Sequence, residues 1–208
     1  MARKVKKLPQ RNKFTIITNG KESEKNYFEA LRGINRSIFN IDVKFENADP
    51  THLVERALRE KMTSNQVWIV FDKDEFPNEA VYNAIGTARK NGIGVAFSNA
   101  AFEVWLLNHF KEFSIEKKPN ELLSILDSTL KENGYTKDYQ KNDADLIKRA
   151  FIPRLDAAVH NADVSLQKRI ADHNLQNPNN NSYPYCDWNS CTTVHKLVKA
   201  LKLKGKIR

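Results

Sequence analysis

The chain has 208 residues, 34 Lys+Arg against 25 Asp+Glu, a net charge of +9, and 40% hydrophobic residues. That length and balance fit one globular domain, or a core with an appendage, and exclude collagen-like and globally disordered chains. The positive excess favours polyanionic partners, but the basic runs "MARKVKKLPQRNK" and "HKLVKALKLKGKIR" also read as solvated tails. No apolar run approaches the ~20 residues of a membrane span, and two cysteines make no disulfide framework. The expected location is therefore a reducing cytoplasm.

The first half alternates strand and helix patterns. "FTIIT" (14–18) is a β-branched run. "SEKNYFEALRGI" then spaces Tyr27, Phe28, Leu31 and Ile34 as one helical face. "IDVKFE" alternates Ile41, Val43 and Phe45 with polar residues. "DPTHLVERALREKM" follows as a helix capped by Asp49 or Thr51, with Leu53, Val54, Ala57 and Leu58 as its stripe. "VWIVF" (67–71) is apolar throughout, as a strand covered on both faces must be. A helix over about 78–90 and a strand "GIGVAFS" (92–98) continue the alternation, which predicts a parallel α/β sheet.

After Ser98 the pattern turns helical: "AFEVWLLNHF", "NELLSILDSTLKENG", and one or two helices over 143–173 with Pro153 near a break. "NLQNPNNNSYPYCDWNS" (174–190) reads as a loop, and "TTVHKLVKAL" as a closing helix capped by Thr192. The division is an α/β core over 1–112 and a helical extension over 113–208, packed on the core.

Chemistry concentrates at strand ends. "WIVFDKDE" stops a buried strand at Asp72 and Asp74. Ligands of open parallel sheets sit beyond the carboxyl ends of the strands, and residues two apart in extended chain point the same way. The pair suits Mg²⁺ or Mn²⁺; the alternative is a solvated turn in which Asp72 caps the next helix. The first strand likewise leads through Gly20 to Glu22 and Glu24 in a helical first turn, where carboxylates also complement the helix dipole. Two neighbouring strand ends would crowd Glu24, Asp72 and Asp74 into a like-charge cluster that is costly without a cation.

Four segments together resemble the RloB family, Toprim-like proteins of bacterial restriction and phage-defence loci. They are "TNGKESEKNYF", "VWIVFDKDEF", "SNAAFEVWLLNHF" and "NSCTTVHKLVKAL". The resemblance implies a Toprim-type Mg²⁺ site for phosphoryl transfer on DNA or RNA. Asp72 and Asp74 would be ligands and Glu24 a ligand or general base, with Glu22 as a substitute. It also implies an ATPase partner of the AAA or ABC type encoded nearby. Asn19 stands where the family has a glutamate, and a carboxamide does not accept a proton at neutral pH. Ala100 and Ser190 replace prolines.

Other residues have two readings each. Glu103 is a fourth carboxylate after a strand end, either a metal ligand or part of the helical segment holding Phe102, Trp105 and Leu106. His109 is expected to make a structural hydrogen bond. "GYTKDYQKND" interleaves Tyr135 and Tyr139 with Lys137 and Lys141, a pattern that stacks and neutralises single-stranded nucleic acid and that also decorates ordinary surfaces. Lys21, Lys73, Arg149, Arg154 and Lys168 are further candidate phosphate contacts. Cys186, Cys191 and His195 lack a fourth zinc ligand. No Gly-x-x-x-x-Gly-Lys-Ser/Thr loop is present, so the chain carries no P-loop of its own. The expected function is a Mg²⁺-dependent nuclease. The alternatives are a non-catalytic module that binds nucleic acid or a nucleotide signal and regulates the ATPase, and an aspartate phosphatase, which the late position of Asp-x-Asp disfavours.

Overall fold

The computed structural model describes residues 12–33, 39–73, 76–178 and 184–203. Residues 1–11 and 204–208 of the basic ends lie outside them, as do Ile34, Asp74 and the middle of the Asn-rich segment.

The alternation of the first half is the observed one. Strands β1 (Asn12–Thr18), β2 (Phe39–Phe45), β3 (Gln66–Asp72) and β4 (Gly94–Asn99) alternate with helices α1 (Ser23–Leu31), α2 (Pro50–Glu60) and α3 (Asn78–Lys90). They form a parallel sheet in the order β2-β1-β3-β4, closed at one edge by a two-residue antiparallel strand, β5 (Cys191–Thr192). β5 exists only as a partner of Ser98 and Asn99, and nothing in its own two residues announces a strand. The helical half comprises α4 (Glu103–Leu107), α5 (Pro119–Glu132), α6 (Ala144–Ala150), α7 (Leu155–Gln176) and α8 (Val194–Leu203). A single 3-10 turn over Ile152–Arg154 marks the break expected at Pro153.

Side-chain alternation divides the interior in two. On one face, Phe14, Ile16 and Val70 pack with α1 and with the buried residues of α4 to α8. On the other, Ile17, Val67, Ile69 and Phe71 pack with α2 and α3. The chain steps from β1 to β2 through α1, then crosses back to β3 through α2. Right-handed crossovers in opposite directions put these helices on opposite faces. Because Leu122, Ala158 and Leu197 share one hydrophobic cluster with Phe14 and Ile16, the interior runs without a break across the 112/113 boundary.

Local chemistry fixes the caps. Asp49 accepts from the backbone N–H of Thr51 (2.8 Å) and His52 (3.1 Å), with Pro50 at the first turn of α2. Thr192 Oγ1 accepts from the N–H of Val194 at 3.3 Å, where α8 begins. Phe45, the last residue of the alternating set in β2, is more than a third exposed, whereas Ile41 and Val43 are buried. The Asn99–Ala100 and Asn189–Ser190 peptide bonds are cis. Among the described residues no helix is long and apolar enough to cross a membrane.

Candidate metal centre at the strand ends

The order β2-β1-β3-β4 reverses direction between β1 and β3, and a crevice opens at that point beyond their carboxyl ends. The strand ends are held together there: Asn19 N–H donates to Val70 O at 2.9 Å, and Lys73 N–H to Ser98 O at 2.9 Å. The resulting cleft, about 310 Å³, is lined by Gly20, Glu22 and Glu24 after β1, Asp72 at the end of β3, Glu103 after β4, and Lys141 from the helical half.

Each carboxylate has its own support. Asp72 Oδ2 accepts the N–H of Phe102 at 3.0 Å, which fixes its carboxylate against the residue preceding Glu103. Glu24 lies in the first turn of α1, where the helix dipole favours a negative charge, and it is only 7% exposed. Gly20 makes room for it: a Cβ at residue 20 would overlap the Glu24 carboxylate. Glu103 is 2% exposed. Its Oε1 accepts no hydrogen bond among the described residues and faces Lys141 Nζ at 3.5 Å, too long for a good hydrogen bond.

The helices behind these residues interlock through aromatic rings. Tyr27, one turn after Glu24, makes edge-to-face contacts with Phe102 (5.6 Å), Trp105 (6.0 Å) and His109 (5.5 Å). His109 makes the structural hydrogen bond expected of it. Nδ1 donates to Trp105 O at 3.1 Å, since a carbonyl only accepts, so Nε2 accepts from the Tyr27 hydroxyl at 3.0 Å. Burial lowers the pKa of this ring to about 3 and keeps it neutral. Burial likewise raises the Tyr27 phenol.

The loop between α5 and α6 closes the cleft from the helical half. The Tyr139 hydroxyl donates to Ser23 Oγ at 2.9 Å, and Asn26 Nδ2 donates to Lys141 O at 3.2 Å. Partial burial pulls the Lys141 ammonium down, but Glu103, Glu24 and Asp72 outweigh it and raise its pKa. Burial, reinforced by the same three carboxylates, raises the Tyr139 phenol.

The sequence-predicted residues therefore separate. Glu22, Glu24, Asp72, Glu103, Lys21 and Lys141 meet in one cleft. Asp74 lies outside the described residues. Tyr139 is a correction: at 6% exposure, with its ring against Phe151, it presents no face to a base. Tyr135 and Arg154 are joined instead to each other, the guanidinium donating to the Tyr135 hydroxyl at 3.0 Å and lying over Phe110. Lys137 is exposed, and neither it nor Lys73 lines the cleft. Lys168 pairs with Glu112 at 2.5 Å, and Arg149 is exposed on α6. Cys186 and Cys191 are free and buried. Ser23 and Asn26, which hold the loop onto the cleft, carried no signal in the sequence, because their partners lie 116 and 115 residues away.

The donor set fits a hard divalent cation, since it is made of carboxylate oxygens with no thiolate or imidazole among the residues lining the cleft. Among the described residues no three His, Cys, Asp or Glu side chains are preassembled to hold an ion. No curated protein and no solved structure matches the chain significantly. A family model described as RloB-like protein matches residues 14–201, and the chain belongs to that family.

Proposed function

We propose that this chain is a Mg²⁺-dependent nuclease with a Toprim-like core, hydrolysing a phosphodiester of DNA or RNA. The observation that supports it most is the convergence of Glu24, Asp72 and Glu103 with Lys21 and Lys141 in one cleft at the sheet's reversal point. Glu24, Asp72 and Glu103 would hold Mg²⁺ or Mn²⁺, and Asp74, two residues after Asp72 in the sequence, is a further candidate ligand. When bound, such an ion polarises a phosphoryl oxygen and lowers the pKa of water. Glu24, held still by α1, takes the proton of an attacking water; Glu22, exposed at the mouth, is the substitute acceptor. Lys21 and Lys141 bind phosphate oxygens, and Phe76 and Leu123 exclude water from one wall. A role in phage defence beside an AAA- or ABC-type ATPase rests on the family resemblance.

Asn19 favours a second reading, a module that binds nucleic acid or a nucleotide and regulates the ATPase. Its amide is engaged in structure, donating to Ala48 O at 2.7 Å. Asp72→Asn tests the first reading on labelled DNA and tRNA with Mg²⁺. The asparagine Oδ1 still accepts from Phe102, so the fold persists while cleavage falls by about 100-fold or more. Full cleavage by this variant sinks the nuclease. Binding without Mg²⁺ and without turnover in the wild type selects the module.

A further inference from the structure

Glu103 presents a specific electrostatic problem. A carboxylate 2% exposed needs a compensating charge, and the ion pair recorded for it is with Lys141. That contact has none of the marks of a permanent bond. At 3.5 Å it is Coulombic, and the Lys141 side chain is 52% exposed, so its ammonium returns to water at little desolvation cost. Glu24 and Asp72 line the same cleft as Glu103 and Lys141, and their charges act on the same ammonium.

The backbone beneath Lys141 is held far more firmly than its side chain. Asn26 Nδ2 binds its carbonyl, Tyr139 two residues earlier binds Ser23, and the Tyr139 N–H donates to Asp127 Oδ1 at 2.6 Å. The side chain therefore moves on a fixed base and stays at the mouth of the cleft when it leaves Glu103.

We infer that Lys141 is the cleft's built-in counter-ion, standing at Glu103 in place of a divalent cation, which enters only as the ammonium leaves. This rests on reading the cleft as a cation site. The displaced ammonium stays at the rim, where it meets a phosphate, so cation and polyanion reinforce each other's binding. The ammonium thereby offsets part of the cleft's negative charge when metal is absent, and the cleft is armed only when metal and nucleic acid are both present.

The test is calorimetric titration of Mn²⁺ into the full chain as wild type, Lys141→Met, Lys148→Met and Asp72→Asn. Lys148 is exposed on α6 and controls for net charge. Lys141→Met is expected to bind Mn²⁺ about tenfold more tightly than wild type, and Lys148→Met about as wild type. Binding lost in Asp72→Asn but unchanged or weakened in Lys141→Met overturns the inference and leaves the cation site standing. Absence of Asp72-dependent binding in every variant overturns both. An amine-reactive label read by mass spectrometry supplies a second measurement. Labelling of Lys141 is expected to rise severalfold with Mn²⁺ in wild type and not in Asp72→Asn, and a rate indifferent to Mn²⁺ overturns the displacement.

Discussion

Tyr139 donates its hydroxyl to Ser23 Oγ at 2.9 Å, joining a loop of the helical half to the residue beside Glu24. The bond is buried and it registers Lys141, two residues on, against the carboxylates. Tyr139→Phe keeps the ring against Phe151 but leaves the Ser23 hydroxyl without this partner. It is expected to cost about 1 kcal/mol and lower the melting temperature by roughly 2–4 °C. Tyr139→Ala, which empties the ring's site, costs about 3–5 kcal/mol. Urea and thermal unfolding of both variants check the order.

Two glycines predict opposite outcomes. A methyl at Gly20 overlaps the Glu24 carboxylate and displaces it, so Gly20→Ala is expected to weaken Mn²⁺ binding about tenfold or more in calorimetry. Gly86 lies inside α3, where an added methyl meets nothing within 4 Å. Gly86→Ala is expected to stabilise the fold by about 0.5–1 kcal/mol with Mn²⁺ affinity unchanged.

Asn19→Glu would supply the carboxylate that the sequence resemblance implies at this position, but the local bonding opposes it. The Asn19 amide donates to Ala48 O, and a carboxylate has no proton to give. The substitution is expected to cost about 1–3 kcal/mol, seen as a lowered urea midpoint. Asn19→Gln, which keeps a donor, is expected to cost less.

Acid should destabilise the protein well above the carboxylate range. Burial holds His109 at about 3 and His195 at about 4, both below the ordinary 6.5 of histidine. Below 6.5 the unfolded chain takes up protons that the folded chain refuses. The stability from these neutral rings is therefore complete above pH 6.5 and lost as pH falls toward 4 and 3. By pH 5 each ring has lost about 2 kcal/mol of the stability it contributes above pH 6.5. His109→Gln, which keeps an acceptor for Tyr27, is expected to halve the slope of urea stability between pH 7.5 and 5.

The alternating core was legible because its signals are local: the apolar run that ends at Asp72, the Asp49 cap with Pro50, the stripe of α1. The convergence of Glu24 and Asp72 followed from the strand-end rule once the strands were parallel neighbours. What depended on distant partners was not legible. A tyrosine between lysines reads the same whether it faces water or is buried, and only Ser23 and Phe151 make Tyr139 an interior residue. Lys141 was picked out as a surface contact for nucleic acid, whereas its first partner is Glu103, across a loop the sequence does not register.

The sheet's final strand has a consequence for synthesis. β5 and α8 supply the edge of β4 and, through Val194, Leu197, Val198 and Leu201, part of the interior beside Phe14 and Ile16. A ribosome that has finished β4 must add some ninety residues before these pieces emerge, which takes about 5–20 seconds at typical elongation rates. Through that interval the nascent sheet carries a bare edge and an uncovered apolar face, both prone to wrong pairing. Wrong pairing of that edge during those seconds is therefore expected to compete with folding.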